Sequence, residues 1–229
     1  MVSRHNKQSV NFAPSKHSTK KFQHIMINNN NNTNLTLTPS FGNKTILEKL
    51  KRVRQGSHYI VVYPDLLTLR KIYSQYTRRQ IKEKKEIVLI LPHYETTDMV
   101  RYALFELPKI DVRKYEKQDF LLIIDSTRAY FGSSIDVVAF VKSLVNYADQ
   151  IGKNGVSVLA DMGSFFHYNK LNDLIEYESS LPPRSDIKAK GLCLYNKDDF
   201  NWRLSRIQKK KLLEHHGREL LITTTPTIK

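Results

Sequence analysis

Cysteine is almost missing from this chain: Cys193 is the single one in 229 residues. One thiol excludes an internal disulfide and a thiolate metal cluster, and a reducing cytosol is the expected compartment. Long apolar runs are missing as well. No stretch reaches the roughly 18 residues a membrane helix needs, and the N-terminus lacks the apolar block of a signal peptide. A cytoplasmic protein without membrane contact is therefore expected, and Asn34-Leu35-Thr36 and Asn43-Lys44-Thr45 match the glycosylation pattern only incidentally. Acidic residues are scarce at the start: residues 1–55 carry ten Lys/Arg against Glu48 alone, so this first quarter holds +9 of the formal charge of +15.

What the first 42 residues do contain is Ser, Lys, His, Asn and Thr, including the run Asn28 to Asn32, with no apolar period. Such a segment buries too little to offset its chain entropy, and a disordered basic tail is expected over 1–42. Its plain role is a solubilising extension. The alternative is a basic arm touching nucleic acid. Residues 43–56 read as a leader helix, with Thr45 and Glu48 spaced as a capping box and Gly56 as its end.

From residue 57 apolar runs and helical periods alternate. Strands are expected at 58–63, 86–92, 120–125, 156–163, 191–195 and 219–223, with a short edge strand at 112–115. Helices are expected between them, at 66–82, 95–106, 134–151, 167–180 and 199–213, with Ser133 or Ser134 capping the third. At 40% apolar residues this is one α/β domain over 57–229, a mostly parallel sheet covered by helices on both faces. Ligands of such sheets bind at the carboxyl ends of the strands.

"FLLIIDST" raises the possibility of a nucleotide hydrolase, because an acidic strand tip can hold Mg²⁺ beside a phosphate. The first strand argues against it. "VVYPDLLTLRKI" puts only Pro64 and Asp65 between strand and helix. Proline has no N–H to donate, aspartate repels phosphate, and no glycine admits a close backbone approach. Positioning and charge neutralisation, on which phosphoryl transfer depends, are not provided.

Asp125 and Asp161 end strands read as neighbours, so their carboxylates could converge on a cation or act as an acid and base pair; capping of the following helices is the plainer reading. His58, His93 and His215-His216 show neither H-x-x-x-H nor H-E-x-x-H spacing, and no metal site or cofactor is assigned. Cys193, inside "GLCLY", reads as an inert small hydrophobe. Glu178 sits amid Leu171, Leu174, Ile175 and Leu181 on one helical face, so it is either buried and paired or facing a pocket. Phe165 and its aromatic neighbours read as a core rim or a pocket wall.

"GSHYIVVY", "FLLIIDSTRAYF", "GKNGVSVLADMGSFFH", "LIEYESSLP", "GLCLYNKDDF" and "LLEHHG", in this order, resemble the MEDS domain, the sensory domain of methanogens, methylotrophs and DcmR-type regulators. The resemblance covers about residues 45–223. It implies a three-layer RecA-like fold without its phosphate-binding loop, and sensing of small molecules for signalling or transcription. It matches His58, Tyr63, Asp125, Asp161, Glu178, Cys193, Tyr195 and His215 to recurring positions, and sets Glu95 loosely where related ATPases keep a catalytic glutamate. The expected protein is a non-enzymatic regulatory domain. It would bind a small molecule or a protein partner, with Tyr63, His93, Asp125, Ser126, Asp161, Phe165, Glu178 and Tyr195 as candidate ligand-binding residues, and a homo-oligomer is possible. The rivals are a nucleic-acid-associated protein using the tail and a residual ATPase.

Overall fold

β-Branched and leucine-rich segments with no charge at their centres form the strands. The computed structural model describes residues 48, 50–107, 109–132, 136–182, 185–216 and 219–221. In it β1 (Ser57–Tyr63), β2 (Ile87–Leu91), β3 (Leu121–Ile123), β4 (Val156–Asp161), β5 (Ala189–Asn196) and β6 (Glu219–Leu221) build one sheet in the order β3-β2-β4-β5-β1-β6. Every pairing is parallel. β2 and β4 are buried at every position, as expected of strands covered on both faces.

Alternation of side chains divides the core between the two faces. One face carries Val61, Tyr63, Val88, Ile90, Leu159, Leu192 and Leu194. Against it pack α1 (Leu66–Lys82) and α2 (Thr97–Glu106), through Leu69, Ile72, Tyr73, Val100 and Leu104. The other face carries Ile60, Val62, Val158, Ala160, Cys193 and Tyr195. Residues of α5 (Val137–Gln150), α6 (Gly163–His167), α7 (Leu171–Ser180) and α8 (Arg206–His215) cover it. Two shorter helices, α3 (Val112–Lys117) and α4 (Ser126–Phe131), flank β3.

Residues 112–115, expected as an edge strand, are helical. Asp111 accepts a hydrogen bond from Lys114 N at 3.1 Å and starts α3. Val112 and Tyr115 favour a strand by residue type, but their i,i+3 spacing and the side-chain cap suit a helical turn. The single helix expected at 134–151 corresponds to α5, capped by Asp136 accepting from Ala139 N at 2.9 Å; Ser133 and Ser134 lie outside the described residues. The helix expected at 167–180 is α7, which starts only at Leu171; before it stands a separate short helix, α6, and between the two Asn169 takes a positive φ of 54°. That expected at 199–213 is a π-helical turn over Asp199–Arg203 followed by α8, whose capping box joins Ser205 and Gln208. Of the leader helix expected over 43–56, Glu48 and Leu50 are helical, whereas residues 51–56 form turns and irregular backbone, so the helix does not run on to Gly56; the tail lies outside the described residues.

Candidate functional site

The sequence-nominated residues divide between the two faces of the sheet. On the α1 face, Asp161 ends β4 fully buried. Its carboxylate accepts from Tyr63 Oη at 3.2 Å and from Gly163 N at 3.0 Å. Burial pushes the carboxyl up to about 7 despite those hydrogen bonds, because removing the charge from water costs more than they return. Gly163 is required here: a Cβ would meet His93 Cδ2 at 2.5 Å and the Tyr94 ring at 2.6 Å. His93 is half-buried, its ring 5.0 Å from Tyr94 and 5.5 Å from His167; burial, then His167, lower its pKa. Glu95, which the resemblance set in a catalytic position, is buried and held by Arg70 at 2.8 Å.

Asp125 is exposed and caps α4, accepting from Arg128 N at 2.9 Å. Capping, the plainer reading, is what Asp125 does; the strands read as neighbours are not adjacent, because β2 lies between β3 and β4, which argues against the alternative of convergence with Asp161. From β3 to β1 there are four strand spacings, about 19 Å, so Asp125 and the Pro64-Asp65 turn cannot grip one phosphate. That turn is itself filled, since Asp65 accepts from Thr68 N at 2.7 Å and occupies the helix N-terminus an anion would use. Ser126 donates its N–H to Pro92 O at 2.9 Å, and its hydroxyl is buried with no hydrogen-bond partner.

On the opposite face Glu178 and Tyr195 meet, the tyrosine donating to Oε1 at 2.7 Å. Glu178 Oε2 lies 3.6 Å from Cys193 Sγ and 3.3 Å from His216 Nε2. His216 Nδ1 is 2.6 Å from Leu212 O, so it donates to that carbonyl and leaves Nε2 turned toward the glutamate. The His58 ring completes the group, 4.2 Å from that of His216. Register explains its place: His58 pairs with Gly191 of β5, where the missing side chain leaves room. The donor atoms of His58, Glu178 and His216, all three residues buried, lie within 4.8 Å of one another. Both Nε2 atoms lack a hydrogen-bond partner; at 3.3 Å His216 approaches the carboxylate without the required alignment.

The electrostatics follow from burial. Burial and then His216 lower His58 to about 4, so it is neutral. Burial alone would raise Glu178, but His216, Tyr195 and His58 together hold it below the ordinary carboxylate value. Cys193 is pushed well up by burial and then by Glu178, which keeps the thiol protonated. This set combines one buried carboxylate with two imidazoles, the donor types of a cation or proton site.

Beside it lies a cavity of about 130 Å³, floored by Val158, Ala160 and Gly191 and walled by Val137, Val141 and Tyr177. His58 and Cys193 are part of its lining. Small residues on β4 and β5 create the space, because they do not fill the gap beneath α5 and α7. Phe165 packs nearby against Tyr130 at 4.8 Å and stacks on Tyr177 at 6.0 Å, which puts it in the aromatic layer behind the wall. Sequence reasoning weighed His58 and His215-His216 and assigned them no metal, the resemblance pointed to half-buried His215 rather than His216, and the group as a whole was missed. Residues 58, 178 and 216 share no local spacing; the legible signal was Glu178, an acid on an apolar helical face.

The sequence model of the family described as MEthanogen/methylotroph, DcmR Sensory domain matches residues 57–206. A search of curated protein sequences finds no significant match. Among solved structures, an uncharacterized protein from Pyrococcus horikoshii, crystallised in complex with an unknown peptide, is similar with a TM-score of 0.53 and 12% identity, covering 78% of this chain and 82% of that one. At that identity the likeness shows the fold.

Proposed function

The chain belongs to the MEDS family of sensory domains, and from that premise we propose that it is a non-enzymatic receptor whose ligand is a small, largely apolar molecule held between the sheet and α5 and α7. The observation that supports this most is the cavity of about 130 Å³, close in size to the ~150 Å³ apolar space that admits benzene. Val137, Val141, Val158 and Ala160 offer apolar contact, and His58, Tyr177 and Cys193 bring the few polar groups that fix orientation. Glu178 and Tyr195, nominated from sequence, stand behind that wall. A RecA-like ancestry without the phosphate loop fits the capped first turn and the parallel sheet.

The test is native mass spectrometry of freshly purified full-length protein beside its Val141→Phe variant, whose ring fills the cavity. The reading expects a retained small molecule in the parent and its loss in the variant. Equal retention in both, or none in either together with no thermal stabilisation by small apolar probes, overturns it.

A further inference from the structure

The geometry points to a divalent transition-metal site formed by His58, Glu178 and His216, with its remaining coordination position open to the cavity. Two imidazoles and one carboxylate are the donor set of zinc sites that keep a position for an exogenous ligand, and of open non-haem iron sites. Bonds of about 2.0–2.1 Å place neighbouring donors of a tetrahedral ion about 3.3 Å apart. His216 Nε2 and Glu178 Oε2 are separated by that distance, 3.3 Å. His58 lies within 4.8 Å of both; its Nε2 is restrained by no hydrogen bond, so it is the donor that would move inward to complete the set.

The surroundings match a metal site. Histidine ligands usually donate their second N–H to a backbone carbonyl, and ligating carboxylates are themselves hydrogen-bonded. His216 Nδ1 against Leu212 O at 2.6 Å and Tyr195 Oη against Glu178 Oε1 at 2.7 Å are those two supports. Each leaves the other donor atom of its residue directed inward. Two buried imidazole nitrogens lack hydrogen-bond partners beside a buried carboxylate, an unfavourable arrangement that a bound cation would relieve. A single proton satisfies one nitrogen at most. A dication satisfies all three donors and neutralises the carboxylate.

The open position follows from the shared wall. His58 belongs both to the donor set and to the lining of the cavity, so a further donor reaches the ion from the cavity side. This rests on the receptor reading above and deepens it: the ligand would be an apolar molecule bearing one lone-pair donor, such as a thiol, captured through the metal.

Full-length protein stripped with a chelator and titrated with Zn²⁺, then separately with Co²⁺, tests this. The expected result is one ion per chain, with the visible absorption of low-coordinate Co²⁺. His58→Ala and His216→Ala should each weaken binding more than about 100-fold, and Tyr195→Phe, which removes only a supporting hydrogen bond, about 10- to 100-fold. His215→Ala should bind as the parent does. Adding 1-butanethiol should change the Co²⁺ spectrum. Circular dichroism shows whether each protein is folded. Absence of binding by the folded parent, or binding that survives both histidine substitutions, overturns the site. A Co²⁺ spectrum indifferent to the thiol overturns the open position. If the cavity still retains its molecule after chelation, the receptor stands and its metal falls; the Val141→Phe comparison fails independently of either.

Discussion

A buried aspartate makes the clearest single-residue statement. Asp161 holds a proton up to about pH 7 in the folded chain but releases it near its ordinary value when unfolded. Between roughly pH 4 and 7 the native state therefore binds more protons than the unfolded one, and stability falls as pH rises through that window. The slope due to this group approaches about 1.4 kcal/mol per pH unit. Urea unfolding of the parent and of Asp161→Asn across pH 4.5 to 8 checks it: the substitution should flatten the decline, since the amide oxygen can still accept from Tyr63 and Gly163. Cys193 gives a second expectation at this scale. Buried beside Glu178 with its pKa raised, it should resist a thiol-specific disulfide reagent in native protein and react once denatured.

Among the elements, the joint between β5 and the start of β2 is held by ions. Lys190 Nζ lies 2.8 Å from Glu86, with side-chain exposures of only 6% and 4%, and Ser157 donates to the same carboxylate at 2.5 Å. Replacing one partner strands a buried charge, so Lys190→Met should cost about 3–5 kcal/mol, whereas Lys190→Met with Glu86→Leu should recover much of that. Chemical denaturation of the two singles and the double measures the coupling. The helices argue differently. α1 was legible in full because Asp65, the stripe of Leu69, Ile72, Tyr73 and Tyr76, and basic residues in its last turn all agree. α3 was misread because a short capped turn carries no helical period. The Asn169 break was also hidden, since a positive φ at a non-glycine residue leaves no signal in the sequence.

At the scale of the whole molecule, the strand order sets what the sheet can do. With Asp65 spent on capping α1 and Asp125 on capping α4 just beyond the edge strand β3, full-length protein incubated with Mg²⁺ and ATP should show no turnover above that of an Asp125→Asn control. Measurable hydrolysis abolished by that substitution would revive the ATPase rival. The nucleic-acid rival belongs to the tail, whose excess charge predicts salt-steep binding. Filter binding of full-length protein and of a chain lacking residues 1–42 separates it: the receptor reading expects no difference between them. No helix among the described residues is long and apolar enough to cross a membrane.

Sequence alone determined the layered parallel sheet, because the side-chain period and the buried β-branched runs are local properties that chain neighbours express by themselves. It also argued against a triphosphate at the first turn, where a proline and an aspartate stand, and in the structure Asp65 is spent on capping α1. Only tertiary structure decided which candidates meet. Odd and even positions along β1, β4 and β5 send Tyr63 with Asp161 to one face, and Tyr195 with Cys193 and His58 to the other. Helix packing then brings Glu178 and His216 over that second face. Contacts among residues 58, 178 and 216 are fixed by strand register and crossover geometry, and no spacing along the chain encodes those.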